Sequence, residues 1–315
     1  MHVPHKVSGL PDIPGVTPMT ERQNPMSVHE DPLLSRKRLR ISLRYWRDQR
    51  MLTQEQVAEA LDWSKSKLVR IENGSVRVSA TDVRALLELY KVSDQDELAR
   101  LVELARVARR RPWYREYEHA LDRDYDEYLG YESSAAVIET FQHLLVPGLL
   151  QTEGYAKAIM MANGATYSAE RVELRLMRQA VLGREDGPLL HCVIDEAALH
   201  RQVGGPAVMR GQLLRLRDAA GPKISVGIIP FAAGAHASMS EPFTLLTLDP
   251  AEEEVLFRET TTRTVTSRED AGLVAGYRHR FDSLRAMAVE QEQASLLIDA
   301  VIQGLPDSAP TRRPS

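Results

Sequence analysis

Lys65, Ser66, Lys67 and Arg70 lie close together on the side of a short helical period that Leu68 and Ile71 leave free. Ammonium, hydroxyl and guanidinium groups in that arrangement can hydrogen-bond base edges and phosphate oxygens in the major groove of duplex DNA. Ser64 precedes them, Gln54 stands ten residues before it, and Arg77 follows in a loop. The bland alternative is a solvated helix face, and for Arg77 plain solvation stands level with a backbone or minor-groove contact.

Two short helices must position these groups. Val57, Ala58 and Leu61 form one apolar stripe and Leu68 and Ile71 a second, broken at Asp62-Trp63. Thr53 and Ser64 sit at N-cap positions ahead of each run, and Glu55 and Gln56 suit the first turn of the earlier helix. The helices, over 53–61 and 64–72, are joined by about three residues, the spacing of a helix-turn-helix.

The stretch LRYWRDQRMLTQEQVAEALDWSKSKLVRIENG resembles the Xre/Cro class of repressor DNA-binding domains. The resemblance implies an all-α five-helix domain with residues 64–72 as recognition helix. Lys65, Ser66, Lys67 and Arg70 then match base- and phosphate-contacting positions, and Gln54 lies near a phosphate. Arg47 and Glu72 match a pair that clamps the recognition helix in such repressors, the alternative being two independent surface charges. Met51 and Asp62 depart from the pattern, standing where glycine is frequent at turns. Methionine tolerates a left-handed backbone poorly, so the first turn is expected to differ in shape.

At 315 residues, with 43% hydrophobic and 27% charged content, the chain is long enough for two globular domains. The one cysteine, Cys192, excludes an internal disulfide framework and suits a reducing cytoplasm. No stretch approaches the roughly 18 apolar residues a membrane helix needs. Prolines stand where a signal peptide would need its hydrophobic run. The net charge of −4 argues against nucleic acid, but basic residues outnumber acids between Arg36 and Arg77. A locally positive module can still follow phosphates, because screening confines electrostatics to about 8–10 Å.

The chain divides into five segments. Residues 1–33 carry repeated prolines and read as a disordered arm. Residues 34–108 form the helix-turn-helix domain, with further helices over 35–49, 79–90 and 94–108. Residues 109–131 combine Arg109-Arg110-Arg111 with Trp113 and several tyrosines among carboxylates. Those acids disfavour a single-stranded nucleic-acid surface, so this is read as a linker packing its aromatics on the second domain. Residues 132–303 alternate strands and helices as an α+β domain of mixed sheet, with VLFRETT expected at an edge. Residues 304–315 read as a disordered tail.

The second half also resembles a known group. VPGLLQTEGYAKAI, ERVELRLMRQAVL, IDEAALHRQVGGPAVMRGQLLRL and IIPFAAGAHASMSEPFTLL are similar to the C-terminal domain of WhiJ-like, often antitoxin-like, actinobacterial regulators. That resemblance implies a transcription regulator frequently working with a small partner protein encoded nearby.

Chemistry in residues 132–303 is sparse. Glu196 and His200 share a helix face, with His191 and Cys192 nearby, yet two ligands do not make a metal site. His236 lies in a Gly/Ala-rich loop, read as a flexible connector more readily than as a lid. No phosphate-loop pattern and no nucleophile setting occurs. The expectation is a cytoplasmic, non-enzymatic regulator that associates with the nucleoid when bound to double-stranded DNA. It is expected to be a homodimer without metal or cofactor, and residues 132–303 bind a small partner protein or a small-molecule effector. The alternative is an antitoxin-like interaction module whose DNA binding serves autoregulation.

Overall fold

The computed structural model describes residues 31–120, 125–162, 169–249, 253–258, 264–266 and 270–307. The expected arm through residue 30 and the tail from residue 308 lie outside the described residues.

Five helices come first. Helix α1 (Pro32–Gln49) starts ahead of the expected Ser35, because Asp31 Oδ1 accepts the Leu33 and Leu34 N–H groups and Pro32 presets the first helical φ. Helix α2 (Gln54–Ala60) opens on a reciprocal cap in which Thr53 Oγ1 accepts the Gln56 N–H and Gln56 Oε1 accepts the Thr53 N–H. Ser64 caps α3 (Lys65–Glu72), Ser79 caps α4 (Ala80–Leu89) and Asp94 caps α5 (Gln95–Val107). Leu39, Leu43, Val57, Leu68, Val83, Leu86 and Leu101 are fully buried in one core between them. Each contributes about 1.5–3 kcal/mol by burial.

Met51 and Asp62 both take the left-handed conformation, with φ of 53° and 55°. Leu52 N–H bonds Arg47 O and Trp63 N–H bonds Ala58 O, the six-to-one closure of a helix C-terminus. The expected change of shape at Met51 is therefore corrected: its turn is built as a glycine would build it, because this closure outweighs the steric cost to methionine.

A 3-10 segment (Trp113–Ala120) and α6 (Tyr125–Ser134) come next. Tyr114, Tyr117, Tyr128 and Tyr131 are buried in a second core that also takes in Leu34 of α1. Helix α1 thus carries side chains into both cores, and Asp31 N–H donates to Ser134 Oγ at 2.8 Å.

The remaining described strands and α-helices are β1 (Val137–Gln142), α7 (Glu153–Ala162), α8 (Ala169–Arg178), β2 (Leu189–Asp195), α9 (Ala197–His200), α10 (Pro206–Asp218) and β3 (Ile224–Ile229), then β4 (Phe243–Asp249), β5 (Glu253–Arg258), β6 (Thr264–Thr266), α11 (Ala271–Met287) and α12 (Gln291–Gly304). The sheet order is β3-β2-β1-β4-β5-β6, with β1, β2 and β3 parallel and β4 to β6 antiparallel. Side chains alternate faces. Leu190, Cys192 and Ile194 face the larger core, whereas Phe141, Val193 and Phe243 meet Phe281 and Leu284 of α11. Helices on both faces explain why the strands read as apolar runs.

The strand within VLFRETT is not at the edge. Strand β5 lies between β4 and β6, and its consecutive Val255, Leu256 and Phe257 are buried on alternating faces. A strand covered on both faces belongs in the sheet interior, and the edge beyond it is the three-residue Thr264–Thr266.

Candidate nucleic-acid interface

Helix α3 divides its residues by polarity. Leu68 and Ile71 point into the core, while Ser64, Lys65, Ser66 and Arg70 are exposed. Ser64 Oγ accepts the Lys67 N–H at 3.2 Å and lies 3.3 Å from Ser66 Oγ. Arg70 Nε donates back to Ser66 O, which holds the guanidinium along the helix. Lys65 pairs with Glu55 of α2, and its hydrogen bond holds that carboxyl below the usual carboxylate range. Both groups are exposed, so the pairing is weak and leaves the Lys65 ammonium available.

Lys67 is placed differently. Its ammonium lies 3.6 Å from the centroid of the Trp63 ring and 2.8 Å from Asp82 Oδ1 of α4. Burial works to raise the Asp82 pKa, but the hydrogen bonds from Lys67 and Ser79 outweigh it and hold the carboxyl below its ordinary value. From sequence alone Lys67 reads as an open group, and nothing marks Trp63 or Asp82 as its neighbours. Trp63 stands in the turn just ahead of the Ser64 cap, and the chain's entry into α3 lays its ring beneath the Lys67 ammonium.

Arg47, Gln54 and Glu72 come together beneath α3. Arg47 Nε and Nη2 donate to the two Glu72 oxygens at 2.6 and 3.1 Å, and Gln54 Nε2 donates to Glu72 Oε2 at 2.7 Å. The glutamate hydrogen bond leads the causes that push the Arg47 pKa above its ordinary value. Arg47 also donates to Leu52 O, tying the turn after α1 to the end of α3. One N–H of the Gln54 amide is thereby used, and its second remains. Arg77 stands exposed beyond α3.

The second-domain candidates are held by neighbours. Glu196 takes up both His200, at 3.1 Å, and the Phe231 N–H, at 2.6 Å. His191 Nδ1 lies 2.8 Å from Ser225 Oγ, and Cys192 is buried, which pushes its thiol pKa up. His236 corrects the reading of a loose connector. Its side chain is only 2% exposed, and Nε2 lies 3.0 Å from Asp195 Oδ2. Ser238 N–H donates to Nδ1, so Nε2 carries the proton given to Asp195. The loop is pinned over the C-terminal end of β2. Among the described residues no group of three or more His, Cys, Asp or Glu is arranged to hold a metal, and no helix is long and apolar enough to cross a membrane.

Residues 38–101 match the model of a helix-turn-helix domain, from within α1 to within α5 and with α3 near its middle. Residues 125–300 match the model of a domain of unknown function, DUF5753, from the start of α6 into α12. No curated protein and no solved structure matches the chain. The second match covers more than half of the sequence, and the chain belongs to the DUF5753 family, carrying a helix-turn-helix domain ahead of it.

Proposed function

We propose that the chain is a sequence-specific DNA-binding transcriptional regulator, with α3 laid in the major groove and its activity set through the second domain by a small partner protein or small-molecule effector. The observation that carries this reading is the outer face of α3, where Lys65, Ser66 and Arg70 stand exposed on a helix whose other side is locked into the core. Lys65 and Ser66 select bases, flanked by Ser64 and Arg70. Gln54 offers its second amide N–H to a phosphate, and Arg77 faces the backbone. Lys67 reaches DNA by exchanging Asp82 for a phosphate or base acceptor. One helix of this size offers little contact area, so a homodimer on two-fold related half-sites follows. A cytoplasmic place at the nucleoid and kinship with WhiJ-like regulators belong to the same proposal, supported by the sequence stretches that resemble that group.

Electrophoretic shifts against selected duplexes test it. Lys65→Ala should cost about 1–3 kcal/mol and relax one base position, with affinity falling steeply with salt. Equal selectivity of the two proteins removes Lys65 from base reading. If no duplex is retained at low ionic strength, the regulator reading fails.

A further inference from the structure

Helix α1 and α6 flank a cavity of about 330 Å³, open to solvent on one side, where the two domains meet. Leu33 and Leu34 give it an apolar part, Arg36 and Arg40 supply guanidiniums, and Asp126 and Glu127 face them from α6. Gly74, in the turn that ends α3, closes one side. Lys37 already has its counter-charge, with Nζ 3.0 Å from Glu127 Oε1. Arg36 and Arg40 differ: neither has a carboxylate partner among the described residues. Arg36 Nη2 donates to Ala108 O at 3.2 Å, while its buried Nε has no hydrogen-bond partner. Among the described residues Arg40 reaches Asn73 O, at 3.4 Å. Burial presses the Arg36 pKa downward and the neighbouring Arg77 and Arg115 guanidiniums add to it, while Asp31 and Tyr114 act in the opposite sense.

Arginines at i, i+4 stand side by side on one helix face, about 5–6 Å apart at Cβ, and their planar forks suit the oxygens of a phosphate. The opposite wall presents the carboxylates of Asp126 and Glu127, which already accept from Lys37, the Tyr131 hydroxyl and the Glu127 N–H, and each carboxylate has lone pairs for further donors. Those carboxylates repel a polyanion such as the DNA backbone, but they suit the hydroxyls of a small molecule whose single anionic group lies at the arginines. The volume falls at the lower end of the roughly 300–1,000 Å³ usual for small-molecule sites.

We propose that this cavity is a binding site for a small phosphate monoester bearing hydroxyl groups, of sugar-phosphate size, with the phosphate held by Arg36 and Arg40 and the hydroxyls donating to Asp126 and Glu127. The occupant would touch α6 of the DUF5753 domain and the turn at Gly74 together, linking the second domain to the end of the recognition helix. That regulatory consequence rests on the chain being a DNA-binding regulator; the binding itself does not.

The test is isothermal titration of the full chain without DNA, at constant ionic strength, with ribose 5-phosphate, inorganic phosphate and ribose as probes. Ribose 5-phosphate should bind saturably, inorganic phosphate more weakly and ribose not at all. Arg40→Ala should weaken the ester by about tenfold or more, the worth of one charged hydrogen bond. Arg40→Gln makes the same comparison if the alanine variant does not fold. Asp126→Asn should narrow the gap between ester and inorganic phosphate, while Arg106→Ala, on the exposed side of α5, should change nothing. Inorganic phosphate binding as tightly as the ester overturns the hydroxyl-bearing assignment. Absence of saturable binding, or equal binding by wild type and the Arg40 variants, overturns the site. If Arg40→Ala instead weakens retention of duplex DNA and neither phosphate binds, the guanidiniums belong to the DNA backbone and the inference fails while the regulator reading stands.

Discussion

Arg47 grips Glu72 through two parallel hydrogen bonds, with the two side chains only 11% and 3% exposed. The pair fixes the C-terminal end of α3 to α1, and Gln54 fastens α2 to the same carboxylate. Removing one partner strands the other's charge in a desolvated place. Arg47→Ala should therefore destabilise the helix-turn-helix domain by about 3–5 kcal/mol, partly offset by the bond that Gln54 keeps. Urea unfolding followed through Trp46 and Trp63 fluorescence measures this, and a loss below about 1 kcal/mol would make the pair an ordinary surface contact.

Asp82 restrains Lys67 in the free chain, so Asp82→Asn should release a cation toward the groove. Duplex affinity should rise modestly and its salt dependence should steepen, by up to about one unit of slope for one added phosphate contact. Because the folded Asp82 pKa is depressed, its contribution to stability is present above the unfolded value of 3.8 and is lost as pH falls through the lower folded value. Acid unfolding below about pH 4 should be correspondingly less steep in the variant. Unchanged DNA affinity and salt slope would place Lys67 outside the DNA contact.

Asp31 behaves in the opposite sense. Burial raises its pKa from 3.8 to about 6, against the backbone N–H groups of Leu33 and Leu34 and the Tyr114 hydroxyl, with Asp126 raising it further. The folded chain then binds more protons than the unfolded one between those values. Stability contributed by this group is therefore full below pH 3.8 and is lost as pH rises toward about 6. Asn keeps an N-cap oxygen and removes the titration. The difference in unfolding free energy between Asp31→Asn and wild type should swing by up to about 3 kcal/mol in favour of the variant from pH 4 to pH 7. Parallel stability curves for the two proteins across that range would refute the assignment.

Much of the first domain is legible because its determinants are local. Thr53, Ser64 and Ser79 each cap the next helix along the chain, and the apolar stripes of α2 and α3 are read by period alone. The Arg47–Glu72 contact is legible only through family resemblance, since nothing local joins residues so far apart. The features that stay hidden depend on tertiary neighbours. Lys67 turns back because α4 brings Asp82 to it, β5 becomes interior because a three-residue strand forms beyond it, and His236 is buried because Asp195 waits at the end of β2. In the same way Leu34 stands just ahead of the helix expected from Ser35, and it is buried because it joins the core that holds Tyr114 and Leu129, which arrive much later in the chain.

Arg178 and Glu132 form a buried ion pair in the second domain. Two arginine nitrogens lie 2.8 and 2.6 Å from the glutamate oxygens, and Tyr128 donates its hydroxyl to Glu132 Oε2 at 2.6 Å. The guanidinium is favoured in its charged form against the cost of burial, with the Glu132 charge the largest favourable influence. Glu132→Gln should cost the second domain about 3–5 kcal/mol because the cation is left without its counter-charge. Differential scanning calorimetry would register this as a lowered melting transition, and an unchanged transition would show that water reaches the pair.

Met51 offers a test in the stabilising direction. It holds φ at 53° with 90% of its surface exposed, so the side chain gains almost nothing from burial and bears the steric cost of a left-handed backbone. That cost is about 1–2 kcal/mol for an L-residue. Glycine removes it but adds unfolded-chain entropy worth about 0.4–1 kcal/mol. Met51→Gly should therefore raise stability by about 0.8 kcal/mol, the difference between the midpoints of those terms. The six-to-one bond from Leu52 to Arg47 O and the Arg47 side-chain bond to Leu52 O both remain available to the variant. Duplex affinity should stay the same, because the substitution alters neither α3 nor its supports. Urea denaturation and a shift assay on the same preparation decide it: a less stable variant would mean that the methionine side chain supports the turn, and weakened DNA binding would mean that it reaches the interface.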